Sequence, residues 1–290
     1  MNISEITKKY YSKISPLDME ILISFAIKKS REFVLANPKY KLTRKQGLRI
    51  KNYVKRRINH EPIAYIVKNK EFYGLDFKAN KHTLIPRPET ELIVDKVLHL
   101  LRNKLRNKVI IIDIGTGSGN IVTSIAHNSK QKENIEFFAT DISKKALNVA
   151  KKNAKKYNLD KKISFLHGSL LDPLIGNCNL KIGNPRMIIL ANLPYLSEEI
   201  YSSSPDDVKK YEPKTALFSD NAGLAHYEEL LKKLETLIST YHILHTTCYL
   251  EISPEQKSTI EKIIKKYFPE SKIKFHKDLA GKWRICQISF

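Results

Sequence analysis

An apolar strand that runs directly into a glycine loop is the feature that most limits how this chain can fold. Residues 109–114 are VIIIDI, and a helical pattern begins at Asn120. Between them lie Gly115, Thr116, Gly117, Ser118 and Gly119. A continuous apolar strand is typical of a parallel sheet covered on both faces, and such sheets bind ligands at the carboxyl ends of their strands. Because glycine lets a ligand approach the backbone closely, the sequence predicts a ligand site at this loop.

Strand and helix patterns alternate through the C-terminal part of the chain. Apolar runs predict strands at 109–114, 135–140, 163–166, 187–191, 243–252, 272–276 and 285–290. Helical periodicity predicts helices at 89–101, 120–129, 143–157, 223–239 and 254–267. Buried strands that alternate with helices indicate an α/β fold with a doubly wound parallel sheet.

Asp141 follows the second predicted strand of this sheet, 22 residues after Gly119. That spacing suits a carboxylate that binds the two ribose hydroxyls of a nucleoside cofactor. The loop has the pattern Gly-x-Gly-x-Gly, not the Gly-x-Gly-x-x-Gly of pyrophosphate binders, which favours S-adenosylmethionine over NAD. The alternative is a tight strand-to-helix turn in which Asp141 only caps the next helix.

A second polar turn follows the strand at 187–191, and it consists of Asn192, Leu193, Pro194 and Tyr195. This strand is the fourth predicted for the sheet, and in a doubly wound fold its end lies beside that of the first. The planar amide of Asn192 has one acceptor and two donors, so it can orient another planar amide or an aromatic amine. The alternative is an Asx turn that only closes the strand.

The N-terminal part of the chain has helical periodicity. One helix is predicted from Asp18 to Ala36, and a second begins after Thr43. Between Lys41 and Arg57 there are eight Lys or Arg residues and no acid, which fits either a solvated face or a docking surface. We predict a helical domain at 1–60, a β-hairpin linker at 61–88 around Gly74, and a catalytic domain at 89–290.

The charge of the chain permits several partners. With 51 Lys and Arg against 30 Asp and Glu, the net charge is +21, which suits an acidic partner or reflects a compositional excess of lysine. No apolar run reaches the length of a membrane span, and the first ten residues have no signal-peptide core. Three widely spaced cysteines, Cys178, Cys248 and Cys286, fit a reducing cytosol, so we predict a cytoplasmic protein.

A metal site is not predicted. His242, His245 and Cys248 are spaced by threes, but they lie at the start of and within the strand predicted at 243–252. On a strand, residues 242 and 245 point to opposite faces and cannot converge on one ion.

Together, the glycine loop, Asp141 and the tetrapeptide 192–195 resemble class I S-adenosylmethionine-dependent methyltransferases that modify planar nitrogens. Further segments narrow the resemblance to the HemK/PrmC family of release factor glutamine methyltransferases. These segments are Glu61–Ile66, Glu71–Gly74, Ile85–Glu91, Tyr211–Leu217 and Asp278–Gly281. The resemblance implies a seven-stranded, mostly parallel class I methyltransferase sheet, with a helical N-terminal domain and a hairpin linker.

The resemblance also implies the activity and the site. Family members use S-adenosylmethionine, without a metal, to methylate the side-chain amide nitrogen of the glutamine in the Gly-Gly-Gln motif of class 1 peptide chain release factors. The implied catalytic residues are Asn192, Pro194 and Tyr195, which with Leu193 also bind the substrate. The implied cofactor residues are Gly115, Thr116, Gly117, Ser118 and Gly119 at the methionine end, Asp141 at the ribose, Ser169 and Leu170 at the adenine, and Asn192. Arg87 and Glu89 either shape the mouth of the site or form an ion pair.

Two departures leave other functions open. The family tetrapeptide is usually Asn-Pro-Pro-Tyr, so Leu193 loosens the backbone there, and Ser169 stands where the family often has an acid. Asn-Leu-Pro-Tyr also occurs in rRNA adenine dimethyltransferases, so an adenine-N6 methyltransferase acting on rRNA or DNA is an alternative. A glutamine methyltransferase of a ribosomal protein and a non-enzymatic basic binding module on a decayed methyltransferase fold are two others. Direct binding of nucleic acid is compatible with the charge but not required.

Overall fold

A computed structural model describes residues 1–102, 107–129, 134–175, 185–241, 243 and 245–290. Cys178 and His242, which were considered above, lie outside this described part. The chain divides into two compact units. The first contains residues 1–69 and 205–211, and the second contains residues 70–204 and 212–290.

The first unit is helical. Its helices are α1 (Ile3–Tyr10), α2 (Pro16–Ile27), α3 (Arg31–Ala36), α4 (Arg44–Ile58), α5 (Ile63–Val67) and α10 (Asp206–Tyr211). The first five of these helices surround a core in which Ile6, Leu22 and Ile50 are fully buried. The side chain of Thr43 caps α4, as predicted.

The single helix predicted from Asp18 to Ala36 is wrong, because the chain breaks between α2 and α3. Lys28 ends α2 in the left-handed region, with φ 57°. Ser30 then begins α3, and its hydroxyl accepts a hydrogen bond from the backbone N–H of Phe33. The break lets the apolar residues of α2 and α3 face one core from two directions.

The second unit contains nine described strands. They are β1 (Lys70–Phe72), β2 (Leu75–Phe77), β3 (Val109–Ile114), β4 (Ile135–Asp141), β5 (Ile163–His167), β6 (Arg186–Ala191), β7 (His245–Glu251), β8 (Lys272–Lys277) and β9 (Trp283–Ser289). The main sheet has the order β5-β4-β3-β6-β7-β9-β8. In this described sheet, β9 is the only strand that runs opposite to the other six. The predicted doubly wound, mostly parallel, seven-stranded sheet is therefore confirmed.

Helices cover both faces of this sheet. Besides α11, a one-turn segment at Asp220–Gly223, they are α6 (Glu91–Arg102), α7 (Asn120–Asn128), α8 (Lys144–Lys156), α9 (Glu198–Ser203), α12 (Ala225–Tyr241) and α13 (Lys257–Tyr267). α12 and α13 pack against one face, and α6, α7 and α8 pack against the other. Every residue of β3 is buried, because alternate side chains enter the two cores. Along the described part of the chain, no helix combines the length and the apolar character that a membrane crossing needs.

The hairpin formed by β1 and β2 is part of the second unit. Phe72 and Phe77 are fully buried in the same core as α6 and α7. At the end of α8, the hydroxyl of Tyr157 accepts a hydrogen bond from the N–H of Asp76 in β2, and the side-chain oxygen of Asn153 accepts one from the N–H of Lys78, just after β2. Of the predicted linker 61–88, residues 61–69 thus belong to the first unit and residues 70–88 to the second.

Candidate active site

The glycine loop and the tetrapeptide 192–195 leave adjacent strands at the same edge of the sheet. β3 pairs in parallel with β6, and Ile114 lies opposite Ala191. β4 is the neighbour on the other side, where Ile114 lies opposite Thr140. The expectation that the fourth strand ends beside the first is therefore confirmed. Asp141 is the last residue of β4 and lies next to the end of β3.

A cavity of about 510 Å³ lies at this edge, a volume typical of small-molecule sites. Most of the residues predicted for the site line it. They are Gly115, Thr116, Gly117, Ser118, Asp141, Ser169, Leu170, Asn192, Leu193 and Pro194. Gly119 and Tyr195 are not among the lining residues.

Packing accounts for a glycine at position 119, and its predicted contact with the cofactor stays a prediction. It precedes α7 with φ 74°, and a Cβ built on it would lie 3.0 Å from the Cβ of Ala150 in α8. Gly117 differs, since a Cβ there would meet nothing closer than the carbonyl oxygen of Gly115 at 3.9 Å. The loop is therefore open at Gly117, where a ligand can approach the backbone.

Asp141 holds the loop from the neighbouring strand. One oxygen, Oδ2, accepts a hydrogen bond of 2.9 Å from the N–H of Gly117, and Oδ1 accepts one of 2.7 Å from the N–H of Ser143. Burial raises the pKa of this carboxyl above its ordinary value, and the two N–H donors oppose that rise. Because each carboxylate oxygen has two acceptor positions, Asp141 can support the loop and also accept a hydroxyl from a ligand.

Asp113 is a second buried carboxyl of the loop, and it was not predicted as a site residue. The hydroxyl of Thr116 donates to its Oδ2 at 2.6 Å. Burial raises the pKa of Asp113 to about 7, and the Thr116 hydroxyl opposes the rise while the charge of Asp141 adds to it. The sequence signal was present, since Asp113 is the one acid in the apolar run of β3. It fixes the first turn of the loop.

The side chain of Asn192 is oriented by the protein. Its Nδ2 donates a hydrogen bond of 3.1 Å to the Oγ1 of Thr90, a residue that is 1% exposed. Thr90 ends the one-turn 3-10 helix Pro88–Thr90, which lies 102 residues away in sequence. One N–H of this amide is bonded to Thr90, which orients the group and leaves the amide oxygen and the second N–H for a ligand.

Tyr195 is anchored by its hydroxyl. The hydroxyl donates to Oε1 of Glu251 at 3.1 Å, and burial together with the charge of Glu251 raises the pKa of the phenol, so it stays a donor. Glu251 is itself buried at the end of β7, and burial raises the pKa of its carboxyl. The implied part of Tyr195 in catalysis and substrate binding stays a prediction.

Arg87 lines the cavity and also forms an ion pair, so both of the alternatives given for it describe its position. Its Nη2 lies 2.6 Å from Oε1 of Glu212, whose side chain is only 1% exposed. The other oxygen of Glu212 accepts a hydrogen bond of 3.0 Å from the N–H of Ile85. Glu212 therefore joins two segments of the cavity wall.

Four further residues with ionisable side chains line the cavity and were not predicted. They are Lys81, His82, His226 and Glu229. They come from two segments, 81–82 and 226–229, and no motif in the sequence connects the two. Among the described residues there is no cluster of His, Cys, Asp and Glu that could hold a metal ion.

Comparison with known families and curated proteins gives consistent matches. A model described as the PrmC N-terminal domain matches residues 3–67, and one described as a methyltransferase domain matches residues 105–252. The release factor glutamine methyltransferase of Mycoplasma mycoides subsp. mycoides SC is 36% identical over 284 residues, or 98% of this chain and 95% of that protein. The protein of the same name from Staphylococcus aureus is 37% identical over 232 residues, or 79% of this chain and 76% of that protein.

Solved structures show a related fold at low sequence identity. The human METTL16 catalytic domain, in complex with a hairpin of the MAT2A 3′UTR, superposes with a TM-score of 0.54 at 16% identity, covering 92% of this chain and 91% of that chain. The N-terminal domain of human METTL16 in complex with SAH gives a TM-score of 0.50 at 15% identity, covering 97% of this chain and 95% of that chain. At this identity the likeness establishes the fold and nothing about the substrate.

Proposed function

This chain belongs to the family of release factor glutamine methyltransferases, and from that membership we propose its reaction. It methylates the side-chain amide nitrogen, N5, of the glutamine in the Gly-Gly-Gln motif of class 1 peptide chain release factors. S-adenosylmethionine is the methyl donor. The observation that carries the proposal is the amide of Asn192, which lines the cavity beside the glycine loop and is fixed by Thr90 with its oxygen free to accept.

The cavity supports binding of S-adenosylmethionine. The N–H groups at the start of α7 favour the carboxylate of its methionine end, and Gly117 leaves room for close approach. Asp141 has unused acceptor positions for the ribose hydroxyls. Ser169 and Leu170 line the same cavity and would contact the adenine. When bound, the cofactor supplies an electrophilic methyl group.

The protein's own contribution to the reaction is orientation of the acceptor amide. The nitrogen of an amide is a poor nucleophile because its lone pair is delocalised into the carbonyl. In our proposal the oxygen of Asn192 and the backbone carbonyl of Pro194 accept the two hydrogens of that nitrogen. These acceptors stabilise the positive charge that develops on nitrogen, so they act more strongly in the transition state than in the ground state. No base is needed before the transfer, because the proton can leave afterwards.

The first expected result concerns the product. Incubation with a purified class 1 release factor and S-adenosylmethionine that carries a deuterated methyl group should label the glutamine of the Gly-Gly-Gln peptide. Mass spectrometry of that peptide locates the label. A release factor with alanine at this glutamine is the control and should take up none.

Two other results would overturn the proposal. In a parallel incubation with rRNA, label in the RNA and none in the release factor would indicate an adenine methyltransferase. Failure to bind S-adenosylmethionine in calorimetry would indicate a binding module without activity. A release factor as substrate also implies a cytoplasmic location, since termination of translation takes place there.

We further propose that the first unit recognises the release factor through α4. The buried side of this helix contains Gly47, Ile50 and Val54. Two of its basic residues serve the unit itself, because Arg56 contacts Glu61 and Arg57 contacts Asp18 and Asp207. The exposed stripe differs. It is formed by Arg44, Leu48, Lys51 and Lys55, and Leu48 at its centre is 57% exposed.

Reversal of charge on this stripe should weaken recognition and leave chemistry intact. A variant with Arg44→Glu, Lys51→Glu and Lys55→Glu is expected to raise KM for the release factor about tenfold, because complementary charges mainly steer association. The kcat and the Kd of S-adenosylmethionine should stay the same. Steady-state kinetics at several salt concentrations measure this, and the difference from the parent should shrink as salt rises.

The matched control reverses three exposed lysines of α8 in the second unit, Lys151, Lys152 and Lys155. If both triple variants raise KM equally, overall charge and not the α4 stripe attracts the release factor. An unchanged KM for the α4 variant would remove α4 from recognition.

A further inference from the structure

The Asn-Leu-Pro-Tyr turn has a backbone N–H that an Asn-Pro-Pro-Tyr turn lacks. Leu193 is 4% exposed, so its N–H is buried and needs an acceptor inside the protein. The N–H donates to the hydroxyl oxygen of Tyr227 at 3.3 Å. Tyr227 is fully buried in α12, which connects this turn to a distant part of the second unit.

The hydroxyl of Tyr227 also forms a hydrogen bond with β7. It donates to the backbone carbonyl oxygen of Glu251, the last residue of that strand. The side chain of the same Glu251 accepts from the hydroxyl of Tyr195. The end of β7 therefore holds Leu193 indirectly, through Tyr227, and Tyr195 directly.

The two remaining contacts complete a rigid frame around the turn. Asn192 is tied to Thr90, and the carbonyl oxygen of Tyr195 accepts a hydrogen bond of 2.9 Å from Nε2 of Gln256. Pro194 has no N–H to satisfy and a fixed φ. Leu193 lies between these anchors: its side chain packs in the core with α12, and its backbone N–H is held by Tyr227.

We propose that Tyr227 is a positioning residue, which fixes the backbone at Leu193 and thereby aims the Asn192 amide at the acceptor nitrogen. Proline at this position restrains the backbone covalently and has no N–H. Leucine gives up that restraint, and the bond from its N–H to Tyr227 restores it. This inference rests on the proposed function, because it assigns a task to Asn192 in that reaction.

The test is a double-mutant cycle between residues 193 and 227. Tyr227→Phe leaves the Leu193 N–H buried without an acceptor, and we expect kcat to fall about tenfold, the scale of one lost buried hydrogen bond. The Kd of S-adenosylmethionine should not change. Adding Leu193→Pro to Tyr227→Phe removes the orphaned N–H, so the double variant should regain most of that kcat. Additive effects of the two substitutions would overturn the proposal, and so would full activity of Tyr227→Phe.

Tyr249→Phe is the matched control. Tyr249 is also buried and lies on β7, but it packs in the core on the other face of the sheet. This variant should keep the parent's kcat and show no coupling to Leu193→Pro. Equal loss in Tyr249→Phe and Tyr227→Phe would mean that any buried tyrosine hydroxyl matters, not the frame.

Thermal unfolding keeps this inference separate from the proposed function. If the parent does not methylate a release factor, the proposed function fails, yet the cycle can still be measured as Tm without any acceptor. Leu193→Pro should then be less destabilising in the Tyr227→Phe background than in the parent. If Tyr227→Phe does not fold, the double variant should be recovered folded, and its failure to fold overturns the proposal.

Discussion

Replacing Asn192 with alanine is expected to lower kcat by about a hundredfold to a thousandfold, the usual effect of removing one preorganised polar group from a reacting centre. The Kd of S-adenosylmethionine should change by less than about tenfold, because the contribution of Asn192 is made mainly in the transition state. Alanine removes both the oxygen offered to the acceptor amide and the Nδ2 that is bonded to Thr90. Single-turnover kinetics measure the first quantity, and calorimetry measures the second.

Two further variants separate the functions of this amide. Asn192→Asp keeps an acceptor oxygen but replaces the donor to Thr90, so its kcat should lie between those of the parent and Asn192→Ala. Asn128→Ala is the control outside the cavity, since the Nδ2 of Asn128 only donates to the carbonyl oxygen of Ser124. If Asn192→Ala keeps the parent's kcat, the acceptor amide is oriented by other groups and the proposed mechanism is wrong.

The sheet could be predicted because its strands are buried on both faces. The strand at 109–114 was predicted with the bounds that β3 has in the structure. β7 is shorter than the prediction of 243–252, since it covers His245–Glu251. A strand that is buried on both faces has a continuous apolar run in its sequence, which can be recognised locally. The residues at which a strand ends depend on contacts with other segments, which a local pattern does not contain.

The break between α2 and α3 could not be predicted from the same kind of pattern. No glycine or proline lies between Ile27 and Arg31, and Lys28 adopts a left-handed conformation that is uncommon for lysine. Among the apolar residues of α4, Ile50 and Val54 are fully buried, whereas Leu48 and Ile58 are 57% and 40% exposed. Helical period alone cannot tell a core residue from an apolar residue on a binding face.

The site was predictable to the extent that it depends on strand ends. Parallel neighbours bring the glycine loop, Asp141 and Asn192 to one edge, and short motifs mark all three. Thr90, Tyr227 and Glu251 act on Asn192 or its turn from three distant segments. Their roles depend on which atoms meet after folding, so sequence spacing gives no signal for them.

Gly119 shows that a motif glycine can be required by the fold as well. It was predicted to bind the cofactor with the rest of the loop, which stays a prediction, and a Cβ there would lie 3.0 Å from the Cβ of Ala150. The pattern Gly-x-Gly-x-Gly does not distinguish a glycine needed for ligand approach from one needed for helix packing. The two kinds of glycine can be told apart only in the folded structure, from the atoms that lie next to each Cα.

Replacing Asp141 with alanine is expected to raise the Kd of S-adenosylmethionine about a hundredfold or more, because hydrogen bonds to a charged group contribute about 1.5–3 kcal/mol each. The loss has two sources in this chain. The ribose hydroxyls would lose their acceptor, and the N–H of Gly117 would lose the bond that holds the loop. Unlike Asn192→Ala, this variant should recover much of its kcat at saturating cofactor. Calorimetry gives the Kd, and kinetics at rising cofactor concentration give the recovery.

The two sources can be separated by Asp141→Asn. Asparagine keeps one acceptor oxygen, which can hold either the loop or a ribose hydroxyl, so its Kd should lie between those of the parent and Asp141→Ala. Asp160→Ala, which removes an exposed carboxyl just beyond α8, should leave the Kd unchanged. If Asp141→Ala binds the cofactor as tightly as the parent, the carboxylate serves only the loop and the start of α8. The ribose would then be held by other residues of the cavity, and the spacing of Asp141 from the glycine loop would reflect the fold alone.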